Sequence, residues 1–179
     1  MKKLFALILA LVMSLSLFAC GSSKTKMRFV TGGESGTYYA FGSTIAQHAT
    51  NNAGIDVVGL VGNGSKSNVE ELDAGNAELA FCQSDVMAYA YNGTTVFDKK
   101  IDCFSTVAVG AVILARDDVP ADAIKALCAD IFDNASSLVS SHAKYGELNL
   151  EYASSITSVP YHAGAVEYFA EHNITVAGK

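Results

Sequence analysis

Basic residues are scarce in this chain: 12 Lys and Arg stand against 18 Asp and Glu, a formal net charge of −6, and aromatics make up only 9%. A nucleic-acid partner needs a basic face to neutralise its phosphates, so that class is not expected. There is no Cys-x-x-Cys or His-Glu-x-x-His spacing, so no metal centre is expected. No serine sits in a Gly-x-Ser-x-Gly elbow, and the acidic residues are dispersed rather than paired. The four histidines, His48, His142, His162 and His172, fall in no catalytic pattern: His48 and His172 read as helix-surface residues and His142 as a packed or capping one. Neither an enzyme nor a cofactor is expected. Gly59–Ser67 approaches a phosphate-binding loop, but Ser65 separates Gly64 from Lys66, where the lysine must follow the glycine directly. Repeats and low-complexity tracts are absent.

Half of the residues are apolar, enough for one packed domain at about 150 residues per domain. The first part of that content is not fold. Lys2 and Lys3 precede an apolar run, Leu4–Phe18, which ends in Leu17-Phe18-Ala19-Cys20. A basic start, an apolar middle and a small residue before a cut form the layout of a secretory signal over residues 1–19. The run is shorter than the roughly 20 residues of a membrane span. Leu-Phe-Ala-Cys resembles the lipobox of bacterial lipoproteins, which implies a lipidated Cys20 followed by a flexible tether through residue 27. Acyl chains would hold the body at the outer face of the bacterial cytoplasmic membrane. Cys82, Cys103 and Cys128 then remain, an odd number that gives no disulfide framework, with Cys82 and Cys128 placed as small core residues.

Residues 28–179 read as a single α/β lobe. Arg28–Val30 is a strand, and Thr37–Asn51 a helix with Tyr38, Phe41, Ile45 and Ala49 on its buried face. Gly42 and Ala46 let that helix lie close to a sheet. Ile55–Val61 is a second strand, and a helix capped by Ser65 or Ser67 runs to Ala74, stopped by Gly75. Leu79–Cys82 is a strand without polar alternation, as in a sheet covered on both faces. Val86–Tyr91 is the next helix. Val107–Ala115, with no polar residue, reads as one long central strand. Asp118 caps a helix after Pro120, with Ile124, Leu127, Cys128 and Ile131 on its apolar face. Leu138, Val139 and His142 share a further helical stretch. The last helix spans Ala165–His172, with Val166, Phe169 and Ala170 inward. The order is that of a mostly parallel sheet with helices on both faces.

Three strand-to-helix loops, Thr31–Thr37, Gly62–Asn68 and Gln83–Asp85, carry the functional signal. In an open α/β sheet such loops meet at the carboxyl ends of the strands, where ligands bind. Helix N-termini there offer free N–H groups and partial positive charge to an anion. Glycines admit close backbone approach, and short hydroxyls supply donors, a combination suited to a carboxylate held without arginine.

The run Phe29-Val30-Thr31-Gly32-Gly33-x-x-Gly36-Thr37-Tyr38-Tyr39-x-x-Gly42-x-x-Ile45-Ala46 resembles the opening of the TAXI family of TRAP-transporter solute receptors. Gly64-Ser65-x-x-Asn68-x-x-x-Leu72-x-x-Gly75-x-x-x-Leu79-Ala80-Phe81-x-Gln83-Ser84-Asp85 is similar to its second and third loops. The tail adds Thr106-Val107-Ala108-Val109 and Pro160-Tyr161-His162-x-Gly164-Ala165, so the likeness spans 28–100 and 104–174. The resemblance implies one lobe of a type II periplasmic-binding-protein fold and a lipid-anchored receptor. That receptor would pass a small carboxylate, such as glutamate or a dicarboxylic acid, to a TRAP permease. It implies ligand contacts from Gly36, Thr37, Tyr38, Ser65, Asn68, Gln83 and Ser84, with Tyr38 packing over the ligand. Family members are two-lobed clamps, whereas Lys99-Lys100-Ile101-Asp102 leads straight into the C-terminal return. An internally shortened member lacking most of the second lobe is expected, its ligand facing a half-site. The competing expectation is an interaction module or remnant that self-associates through the uncovered surface.

Overall fold

The computed structural model describes residues 24–108 and 111–179. The signal segment, Cys20 and the start of the tether lie outside the described residues, as do Val109 and Gly110. A five-stranded sheet of order β2-β1-β3-β5-β4 forms the middle layer. Its strands are β1 (Lys26–Val30), β2 (Asp56–Leu60), β3 (Leu79–Cys82), β4 (Phe104–Ala108) and β5 (Val112–Ala115). β1 pairs in parallel with β2 and β3, while β5 runs antiparallel to both β3 and β4, so four strands share one direction.

Helices cover both faces because the strands present apolar side chains on both. Phe29, Leu79, Phe81 and Ile113 point to one side. There they meet α1 (Thr37–Asn52), α4 (Ala121–Asp133) and α7 (Ala163–Glu171). Val30, Ala80, Cys82, Val112 and Leu114 point to the other, under α2 (Ser65–Asp73) and α3 (Ser84–Asn92). The side-chain period of two in a strand produces this split. Gly42 sits where a Cβ would overlap the Thr31 side chain and the Phe81 ring, so the close approach of α1 to the sheet does depend on that glycine.

Several expectations are corrected. The apolar run Val107–Ala115 is not one long strand: its two ends belong to β4 and β5, which pair antiparallel, and Val112 of β5 pairs with Cys82 at the end of β3. Serines do not cap α2. Gly64, at φ +95, occupies the N-cap in a conformation open to glycine, and the Ser65 hydroxyl is engaged elsewhere. Asp118 does not cap α4, because both of its oxygens bind Arg116, at 2.8 and 3.0 Å. The stretch around Leu138 breaks into α5 (Ala135–Leu138) and a 3₁₀ turn over Ala143–Glu147, where His142 Nδ1 accepts from the Lys144 amide; a short α6 (Leu150–Ala153) follows, capped by Asn149, whose Oδ1 accepts from the Tyr152 amide at 2.7 Å. On α7 the buried residues are Gly164, Ala165, Tyr168 and Phe169, while Ala170 is exposed. His48 is not a free surface residue, since its Nδ1 lies 2.9 and 2.8 Å from the oxygens of buried Asp130, joining α1 to α4.

Candidate functional site

The parallel order places the carboxyl ends of β2, β1 and β3 side by side, so the three glycine-bearing loops leave the sheet at one rim. Hydrogen bonds lace them together. The Gly62 amide donates to Gly32 O at 2.9 Å, and Thr31 donates to Leu60 O through its hydroxyl at 2.7 Å. Asn68 is the centre of the lacing. Its Nδ2 donates to Thr31 O at 2.5 Å and to Phe81 O at 2.9 Å, and its Oδ1 accepts from the Asn63 amide at 3.3 Å. The second and third loops are joined where Ser65 Oγ accepts from the Gln83 amide at 3.0 Å.

The expected site residues therefore fall into separate groups. Gly36 and Thr37 are exposed at the start of α1, and Gln83 and Ser84 are exposed at the start of α3. Tyr38 is half-buried, its ring 5.4 Å from that of Phe81, and burial, with Cys82 and Asp85 nearby, raises its phenol above the ordinary value. Ser65 faces Gln83. Asn68, at 1% exposure, has every hydrogen-bonding atom of its amide engaged inside the protein, so its place in the geometry is to hold the loops.

Beside the rim lies a cleft of about 130 Å³ lined by Thr37, Tyr38, Phe41, Phe81, Ala111, Lys144 and Glu147. Its floor is aromatic, with Phe41 and Phe81 ring centroids 5.9 Å apart. The β4–β5 turn supplies Ala111. The 3₁₀ turn supplies the mouth: Tyr145 stacks on Phe41 at 4.0 Å and donates from its hydroxyl to Phe41 O at 2.6 Å. That anchor sets Lys144 and Glu147 over the opening, their charges paired at 2.7 and 3.0 Å. Sequence reasoning missed Lys144, Glu147 and the two phenylalanines as site residues. Phe41 was legible as a core residue, but nothing local marks Lys144 or Glu147, because 104 positions separate Tyr145 from Phe41. Among the described residues no group of His, Cys, Asp and Glu could hold a metal ion, and no helix is long and apolar enough to cross a membrane.

A small cleft at the carboxyl edge of a parallel sheet, walled by apolar rings with a few polar groups at its mouth, has the form of a small-molecule site. The family comparison agrees. The model of the NMT1-like family matches residues 29–105 and 101–172, two stretches that overlap at 101–105 and together span most of the chain. That family is periplasmic-binding-protein-like, its members bind solutes, and it is generally non-enzymatic. The chain belongs to the NMT1-like family of solute-binding proteins.

Proposed function

We propose that the protein is the extracytoplasmic receptor of a TRAP transporter of the TAXI type, tethered through a lipidated Cys20 and capturing a small carboxylate at the loop rim. The observation that carries this reading is the convergence of the three loops, held by Asn68 and by the Ser65–Gln83 contact, at the carboxyl ends of three adjacent parallel strands. First-turn amides of α1, α2 and α3 lie along that rim and favour negative charge. Thr37 and Tyr38 border the cleft, while Gly36, Ser65, Gln83 and Ser84 are the ligand contacts this reading assigns to the rim loops, with Asn68 as their brace. A carboxylate handed to a TRAP permease embedded in the membrane is the transport role this receptor would serve.

The reading includes an internally shortened form. Two matched stretches meeting at 101–105 support the loss of most of a second lobe there. A clamp buries most of a small ligand between two walls and closes around it by a hinge, so a single lobe holds its ligand wet and weakly.

Thermal denaturation with a panel of glutamate, succinate and 2-oxoglutarate at high concentration, read beside light scattering, tests the receptor reading. A ligand that binds only the folded state, at about 100 times its Kd, adds about 2.7 kcal/mol. For a chain of this size that is a rise of roughly 5–10 °C in Tm. One acid giving such a rise supports the proposal. A stable dimer indifferent to all three overturns it in favour of a self-associating module. Membrane partition lost in Cys20→Ser tests the anchor separately.

A further inference from the structure

We infer that the cleft takes a small α-amino acid with an apolar side chain, recognised as a zwitterion by Lys144 and Glu147. This rests on the receptor reading above and narrows its ligand class.

Four residues, Tyr38, Phe41, Phe81 and Ala111, form the floor, and none carries a charge. Whatever part of a ligand enters there is apolar, because an unpaired charge among rings loses its hydration without a partner. The cleft has a volume of about 130 Å³ and opens to solvent. It has room for an apolar side chain.

The two charged residues that line the cleft, Lys144 and Glu147, are of opposite sign. Lys144 Nζ already has both oxygens of Glu147 within hydrogen-bond reach, and the two side chains are more than half exposed. A monocarboxylate drawn to Lys144 would strand Glu147 beside a second negative charge. A dicarboxylate would add a further one. An amine without a carboxylate would strand Lys144 in the same way. A zwitterion alone replaces both halves of the pair at once: its carboxylate takes the Lys144 ammonium, and its ammonium takes the Glu147 carboxylate. Discrimination of this kind comes from the repulsive contact as much as from the attractive one.

Isothermal titration of the purified protein with L-valine, L-leucine and L-phenylalanine tests this, with isovalerate, isobutylamine and succinate as probes lacking one feature. At least one amino acid is expected to bind at least ten-fold tighter than each of the three other probes. Both mouth residues are exposed, so Glu147→Gln and Lys144→Met are expected to keep the fold. Glu147→Gln should weaken amino-acid binding at least ten-fold and leave isovalerate unchanged or tighter, whereas Lys144→Met should weaken both. Succinate binding tighter than any amino acid overturns the zwitterion inference and leaves the carboxylate-receptor reading standing. Amino-acid binding that ignores both variants overturns the inference as well. No binding by any probe in this set or in the acid panel removes both readings.

Discussion

The side-chain amide of Asn68 donates to the main-chain carbonyl of Thr31 at 2.5 Å, tying the first turn of α2 to the end of β1 across 37 positions. The same nitrogen reaches Phe81 O at the end of β3, so one buried residue sets the spacing of all three rim loops. Replacing Asn68 with alanine leaves two carbonyls and one amide without partners. Buried groups left unpaired cost about 1–3 kcal/mol each, and partial access of water reduces the sum. Asn68→Ala is expected to lose about 2–4 kcal/mol, read as a lower urea midpoint at unchanged m-value. A loss below about 0.5 kcal/mol would show that the loops hold their places without it.

Gly42 carries a second expectation. A methyl group there overlaps the Thr31 side chain and the Phe81 ring, both of which are packed and buried. Alanine normally favours a helix interior by about 1 kcal/mol, while overpacking costs about 1–3 kcal/mol. The overlap is with two buried groups rather than a flexible tip, so Gly42→Ala is expected to destabilise by about 1–2 kcal/mol. Gly33, with no atom within 4 Å of the same methyl position, serves as the control, and Gly33→Ala should shift Tm by less than 2 °C. Equal melting temperatures for the two variants would refute the close-approach argument.

The elements legible in the sequence were those whose signals are local. The Phe41-Ile45-Ala49 stripe and the Gly75 stop delimit α1 and end α2 within a residue or two, since helical period and left-handed glycine act over a single turn. The β4–β5 hairpin was not legible because Val107–Ala115 contains no polar residue, so its fold-back left no break in hydropathy. Asn68 was read as a ligand contact from its place in a loop motif. Its burial under Thr31 and Phe81 is a property of the assembled sheet. Lys144 and Glu147 look like any exposed pair three positions apart until Tyr145 docks on Phe41.

Two carboxylates give the stability profile opposite slopes. Hydrogen bonds from Arg28 hold Glu78 below its ordinary value of 4.5, so its contribution is complete above that pH and fades as pH falls through the lowered value. Burial raises Asp130 above its ordinary 3.8, against the pull of His48, so its contribution is complete below 3.8 and fades as pH rises through the raised value. Urea midpoints between pH 3 and 7 check both signs. Glu78→Gln should lessen the loss of stability below pH 4.5, and Asp130→Asn should remove the decline just above pH 3.8. Parallel profiles for wild type and both variants would contradict the assignment.

Three buried thiols provide a direct measure of how tightly the two layers hold. Burial pushes Cys82 up to about 12, with Cys103 adding to the effect, and pushes Cys103 up to about 12, with Asp102 adding. Cys128, on the buried face of α4, is raised as well, again by burial. The thiolate is the reactive form, and at pH 8 a thiol near 12 is ionised only about one part in ten thousand. Alkylation by iodoacetamide at pH 8, mapped by peptide mass, should therefore leave all three unmodified over an hour in buffer and modify all three in urea. Because reaction requires opening, intermediate urea should expose the three together if the sheet opens as one cooperative unit. Rapid modification of Cys82 alone in buffer would instead mean that the end of β3 opens independently, and the rim it supports would not be a preformed site.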